Sequence, residues 1–155
     1  MSKDKNRFSN NINIRNKRAS YEFEILEKYV AGMVLQGTEI KSIREGKVTL
    51  TDGFCTFFRD ELFIRQIHIN QYKQGTHYNH EATRQRKLLL NKRELSKLQR
   101  KSSEKSLSII PLRLFLNDRG LAKLEIALAK GKKLHDKRNT IKDKDMKRDN
   151  ERIKI

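Results

Sequence analysis

The chain has 155 residues, one cysteine and a formal net charge of +17, from 36 Lys and Arg against 19 Asp and Glu. That length supports one domain with its own core, and the lone Cys55 excludes an internal disulfide. The cationic surplus favours a polyanion, since each phosphate neutralised releases a counterion. No window carries the roughly 18 apolar residues of a spanning helix, and no apolar stretch follows Met1, so neither membrane insertion nor export is expected. A reducing cytoplasm fits the cysteine usage.

In chain order, residues 1–13 are polar and Asn-rich, and disorder is predicted there. In residues 21–27, Tyr21, Phe23 and Ile25 alternate with Glu22, Glu24 and Leu26, a strand pattern; residues 31–36 form a second, and the short link predicts an antiparallel hairpin. Gly37 and Thr38 break the strand. Thr38 as N-cap, Glu39 in the first turn and Gly46 as a left-handed stop predict a short helix over 38–45.

Residues 48–58 read as a strand with a bend at Gly53. A turn at Arg59-Asp60-Glu61 leads to a strand over 62–69. Residues 70–85 show no apolar periodicity and read as a long surface loop. Asn91 and Glu94 have capping-box spacing, which predicts a helix over 92–101. Ile110, Leu112, Leu114 and Leu116 share a strand face, with Pro111 marking an edge or a bulge. After the turn at 117–120, residues 121–129 alternate again.

From Lys130 the apolar pattern stops, with Lys or Arg at 130, 132, 133, 137, 138, 142, 144, 147 and 148. Such a segment buries too little apolar surface to offset its ordering entropy, so a basic tail leaves a folded body. About six antiparallel strands with two or three short helices predict a mainly β fold, a small closed OB-like barrel. The expected division is a disordered segment over 1–13, a body over 14–129 and a tail over 130–155.

Three basic clusters stand out: Arg15, Lys17 and Arg18; Arg84, Arg86, Lys87, Lys92 and Arg93; and the tail. Asn16, Asn79, His80 and Asn91 can hydrogen-bond bases or sugars. Tyr72 and Tyr78 either stack on unpaired bases or pack at the barrel rim. Cys55, among Phe54, Thr56 and Phe57, reads as a small buried apolar side chain. His77 and His80 have no further ligands at metal spacing, so no metal is expected. No nucleophile motif, P-loop or glycine fingerprint occurs, which argues against an enzyme. Together these features describe an RNA- or DNA-binding module whose tail orders on binding; the lack of a convincing recognition helix and a barrel with aromatics favour RNA.

Several motifs stand in one order: Asn16-Lys17-Arg18-Ala19; Gly37-Thr38-Glu39-Ile40-Lys41-Ser42; Arg44-x-Gly46-Lys47; Thr83-Arg84-x-Arg86-Lys87-Leu88-Leu89-Leu90-Asn91-x-Arg93-Glu94; and Ala129-Lys130-Gly131-Lys132-Lys133-x-His135-Asp136-Lys137-Arg138. In order and spacing they resemble the small protein B (SmpB) family, from about residue 16 to 153.

That resemblance implies an OB-fold body and a role in bacterial trans-translation, without cofactor or catalysis. Members bind the tRNA-like domain of transfer-messenger RNA (tmRNA). They help deliver it, alanylated and with elongation factor Tu and GTP, to stalled 70S ribosomes, acting as monomers when free. It implies tmRNA contacts by Asn16, Lys17, Arg18, Leu89 and Asn91, with Glu39, Lys41, Arg84, Arg86 and Lys87 nearby. It also implies a tail that lies in the decoding centre and the empty messenger channel, where it becomes helical. The tail residues carried over are Gly131, Lys132, Lys133, His135, Asp136, Lys137 and Arg138, followed by Ile141, Lys142 and Met146. The chain departs from the family pattern at three places: Val30 stands where a tmRNA-contacting glutamate is common, Ala82 for a proline, and Met146 for a tryptophan. A ribosomal or ribosome-assembly protein would share the charge and the tail. An RNA-processing enzyme would need acid-base or metal-binding residues clustered on one face.

Overall fold

The computed structural model describes residues 11–74, 79–104 and 106–132. The expectations for residues 1–10, His77, Tyr78 and the tail from Lys133 onward lie outside them. The fold is mainly β with three helices among the described residues. Its elements are β1 (Asn13–Arg15), α1 (Ala19–Glu22), β2 (Phe23–Met33), α2 (Gly37–Arg44), β3 (Val48–Thr49), β4 (Phe54–Phe58), β5 (Glu61–Arg65), β6 (His68–Ile69), β7 (Arg86–Leu89), α3 (Lys92–Ser102), β8 (Leu107–Leu116) and β9 (Ala122–Gly131). Six strands pair in a ring, β8-β4-β5-β7-β2-β9 and back to β8. Every pairing is antiparallel; β1 flanks β8, and β3 pairs with β6 apart from the ring.

The ring encloses the core. Leu62 and Ile64 of β5, Leu88 of β7, Leu114 of β8, and Leu124 and Ile126 of β9 are all buried inside. Alternation along β8 and β9 supplies this face. Leu98 of α3 joins the same core, and Asn91 caps that helix by accepting from the Glu94 amide at 2.8 Å, as the spacing predicted. A second, smaller cluster lies against β8 and β9: Ala19 of α1 packs with Ile110, Ala127 and Ala129. The alanines leave room for α1 to sit close, and this fixes the chain just before it.

Several local expectations change. Residues 21–36 are not a hairpin. Tyr21 belongs to α1, and β2 runs unbroken to Met33 against β9, with a bulge between Ile25 and Glu27. The bulge breaks the two-residue period, which mimics two strands in the sequence. Helix α2 is capped by Gln36 rather than Thr38, through a reciprocal box with Glu39. The segment 62–69 divides at Gln66, whose φ is +64°. Residues 86–89, singled out only for the basic cluster, form β7; the strand pattern is hidden in the sequence because one of its inward positions is taken by Arg86. Of the two places expected for Pro111, the bulge is the one found, since β8 has strands on both sides. Finally, β9 extends two residues past 129, and Lys132 donates its backbone N–H to Glu22 at 2.9 Å.

Gly53 marks a turn between β3 and β4, its N–H donating to Leu50 O at 2.9 Å. A Cβ there would lie 2.5 Å from Ile67 Cγ2 and 2.9 Å from Pro111 Cγ. Neither neighbour is free to move, since Ile67 and Pro111 are both in the interior. Gly53→Ala is therefore expected to cost about 1–3 kcal/mol by overpacking. A urea titration that leaves the midpoint unchanged would contradict this contact.

Candidate nucleic-acid interface

Asn16 is the best-anchored residue of the first basic cluster. Its backbone N–H donates to Leu112 O at 2.8 Å and its Nδ2 to Pro111 O at 2.9 Å. Its Oδ1 is buried and has no hydrogen-bond partner. It lines a cavity of about 620 Å³ with Arg15, Lys17, Lys28, Arg113 and Glu125. Four of these carry positive charge and one negative. Glu125 is committed to Arg113, at 3.3 Å. The Arg113 guanidinium also lies 4.1 Å from the Phe115 ring centroid. Lys17 and Arg18 are exposed.

Strand register lays these residues in rows. One runs Arg15, Arg113, Glu125, Val30; its neighbour runs Asn13, Phe115, Lys123, Gly32, Leu89. Two arginines directly opposite each other repel, which is destabilising unless an anion bridges them. The second row brings Leu89 onto the same sheet face as the Asn16 cluster, although 73 positions separate them in sequence. Gly32 makes room there: its virtual Cβ lies 3.5 Å from Leu89 Cβ and 3.7 Å from Lys123 Nζ. Arg113, Phe115, Lys123, Glu125 and Lys28 were not singled out from sequence. Their signal was outward parity on strands, visible only once the inward positions are known.

The other predicted residues divide differently. Glu39 and Arg86 are fully buried against each other, so the structure does not place them on an RNA-facing surface. Glu39 accepts from Gln36 N at 2.8 Å, from Arg84 Nη2 at 2.5 Å and from Arg86 Nε. Arg86 also donates to Ile67 O at 3.3 Å, Ala82 O at 3.1 Å and Glu81 O at 3.4 Å. These bonds tie the loop after β6 to α2 and β7. Burial raises the Glu39 carboxyl, but hydrogen bonds from Arg84, the Gln36 amide and Arg86 outweigh it and hold the group below its usual range. Burial likewise lowers the Arg86 guanidinium, opposed by Glu39.

Arg84 is partly exposed at the lip of this clasp. Lys41 lies over the Tyr72 ring, 5.5 Å from its centroid, and Tyr72 is buried, which favours rim packing over base stacking. Lys87 points outward and pairs with Glu61 at 3.3 Å. Asn79 and His80 serve the loop itself. Asn79 Oδ1 accepts from Tyr72 N at 3.2 Å. His80 Nε2–H donates to Ile69 O at 2.9 Å, so its Nδ1 accepts from the Thr38 hydroxyl at 2.8 Å. Cys55 is buried, and burial pushes its thiol up, in keeping with a packing role. Of the tail residues, Gly131 ends β9 opposite Phe23, and Lys132 Nζ donates to Ser20 O at 2.8 Å. Lys133, His135, Asp136, Lys137, Arg138, Ile141, Lys142 and Met146 lie outside the described residues. Among the described residues no group of three or more His, Cys, Asp or Glu is placed to hold a metal, and no helix is long and apolar enough to cross a membrane.

The profile of the SmpB protein family matches residues 13–154. The chain belongs to the SmpB family. An SsrA-binding protein of Flavobacterium psychrophilum is 59% identical over 143 residues, covering 92% of this chain and 95% of that one. The SsrA-binding protein of Christiangramia forsetii is 56% identical, over 93% of this chain and 92% of its own. That of Agrobacterium fabrum is 44% identical over 97% and 94%. A solved chain from a study of tmRNA–SmpB and the bacterial ribosome superimposes with a TM-score of 0.68 at 44% identity, over 79% of this chain and 86% of that one. These relatives are named for what they bind, not for a reaction.

Proposed function

We propose that this SmpB-family chain is an RNA-binding factor of trans-translation, not an enzyme, and that its ring of strands is an OB-like barrel that recognises the tRNA-like domain of tmRNA. The observation that carries this reading is the Asn16 face. An anchored asparagine with a buried, unpartnered acceptor lines a cationic cavity, beside exposed Lys17 and Arg18. Phosphates would bridge Arg15 and Arg113, while Asn16 Oδ1, uncovered as the RNA docks, accepts from a base or a 2′-hydroxyl. Leu89, on the same face, supplies apolar contact. Glu39 and Arg86 act behind that surface by fixing α2 and β7, and Asn91 acts by capping α3.

In this reading the protein works in the cytoplasm as a monomer when free. It accompanies alanylated tmRNA with elongation factor Tu and GTP to stalled ribosomes. The tail, carrying His135 and the cations around it, then occupies the decoding centre and the empty messenger channel. The spacing of Thr140, Asp143 and Lys147 supports a helix there that is marginal alone.

Binding of the full chain and of a truncation after Lys132 to the tmRNA tRNA-like domain and to an ordinary tRNA, over a salt series, tests the reading. The cut belongs there because β9 pairs through Gly131 and Lys132 is itself bonded to Glu22. Preference for the tmRNA domain that survives truncation is expected. Equal binding to both RNAs, or binding lost with the tail, would reduce the protein to a nonspecific polycation.

A further inference from the structure

The ring is not evenly knitted. Strand β4 is laddered to β5 along its whole length, from Phe54 opposite Arg65 to Phe58 opposite Glu61. Its other edge meets β8, among the described residues, at the single pair Cys55 and Ile109. A cavity of about 390 Å³ lies in this seam, lined by Phe54, Thr56 and Phe57 on one side and by Ser102, Leu107 and Ser108 on the other. That size falls in the roughly 300–1,000 Å³ range of small-ligand pockets. Its walls combine aromatic rings with three hydroxyls.

The surroundings are aromatic and cationic. Phe54 is 38% and Phe58 59% exposed, large fractions for phenylalanine on a strand. The Arg59 guanidinium lies 5.2 Å from the Phe58 ring centroid. Arg65 stands opposite Phe54 in register, and Lys87 opposite Phe63. Of the carboxylates around the seam, Glu61 pairs with Lys87 at 3.3 Å and Asp60 accepts from Gln99 Nε2 at 3.0 Å, while Asp52 and Glu104 are exposed and leave the arginines in a majority of one sign only on the β4–β5 side.

We infer that the β4–β8 seam is a second RNA site, which stacks an unpaired nucleobase on the Phe54 ring with its phosphate against Arg65 and lets the single strand run on along β4 past Phe58 to Arg59. An exposed aromatic ring offers a stacking face to any base, and the hydroxyl residues Thr56 and Ser108 line the same cavity, while the Ser102 hydroxyl already donates to Gln99 O at 3.1 Å. An apolar protein segment would use the same rings but gains nothing from the two arginines, so charge complementarity selects RNA. The site is separate from the Asn16 face. Ser108 and Arg113 are five positions apart on β8, about 17 Å at the rise of a strand. It therefore stands whether or not the Asn16 face recognises tmRNA.

The test uses the full chain and a short uridine-rich RNA carrying one 4-thiouridine. Photocrosslinking to wild-type protein is expected on the tryptic peptide spanning residues 48–59. Phe54→Ala should weaken that RNA about five- to hundredfold, while affinity for the folded tRNA-like domain stays within about twofold, since no contact of the Asn16 face is removed. Crosslinks confined to other peptides overturn the inference without any variant. So does a Phe54→Ala protein with unchanged oligonucleotide affinity. Concentration-dependent dimers in sedimentation that Phe54→Ala abolishes would make the seam a protein interface instead, and would also overturn it.

Discussion

Glu39→Ala is expected to destabilise the protein by about 3–5 kcal/mol, because it leaves Arg86 buried without its counter-charge. For a chain of this size each kcal/mol moves the melting temperature by about 2–4 °C. The double replacement Glu39→Leu with Arg86→Met removes both charges and should recover much of the loss, since buried pairs exchanged for apolar residues of similar volume are often near neutral. A Glu39→Ala protein melting within about 2 °C of wild type would contradict a buried charge pair. The same pair sets an acid limit. The Glu39 carboxyl is held below the ordinary value of 4.5, so its stabilisation is fully present above that value and is lost as pH falls through the folded one. Wild type and Glu39→Ala should differ most at neutral pH, and their melting curves should approach each other in acid.

The second large effect concerns RNA. Replacing Lys17 and Arg18 together by glutamine should weaken binding to the tmRNA tRNA-like domain by about tenfold or more at low salt. It should reduce the slope of log affinity against log salt by roughly 1.5, since each lost phosphate contact removes about 0.7–0.9. Both side chains are exposed, so the melting temperature should hold. An unchanged salt slope would mean that the two cations face solvent in the complex, and the Asn16 face would lose its assigned partner. The Glu39 variant gives a useful contrast. It frees the partly exposed Arg84 but leaves Lys17 and Arg18 in place, so the slope for any RNA it still binds when folded should not fall as it does in the double glutamine variant.

These two sites show how unevenly function was legible. Asn16, Lys17 and Arg18 announce themselves as a basic run before a strand. Arg84 and Arg86 look alike in the sequence, yet one lies at the surface and the other is fully buried. The difference is Glu39, 47 positions away, which accepts from Arg86 and makes an interior charge tolerable. Charge type is written in the sequence, whereas its solvation depends on what the fold brings beside it. For the same reason β7 was not read as a strand: the pattern rule assumes that inward positions are apolar.

What the sequence determined by itself is local or global in the simplest sense. The charge of +17 implied an anionic partner. Asn91 and Glu94 placed the start of α3, and the alternation in β8 and β9 supplied the inner face of the ring, because caps and strand parity act between near neighbours. Motif order was enough to indicate the family. The tertiary structure decided the pairings. Strand β2 joined β9 across about a hundred residues rather than folding back on itself, and Asn16 was fixed to Pro111, 95 positions away. It also decided which cations are free to meet RNA, opened the seam between β4 and β8, and collected Arg15, Arg113 and Leu89 on one face. Such arrangements follow from closing a ring of strands, and no window of sequence contains the partner that each residue will meet.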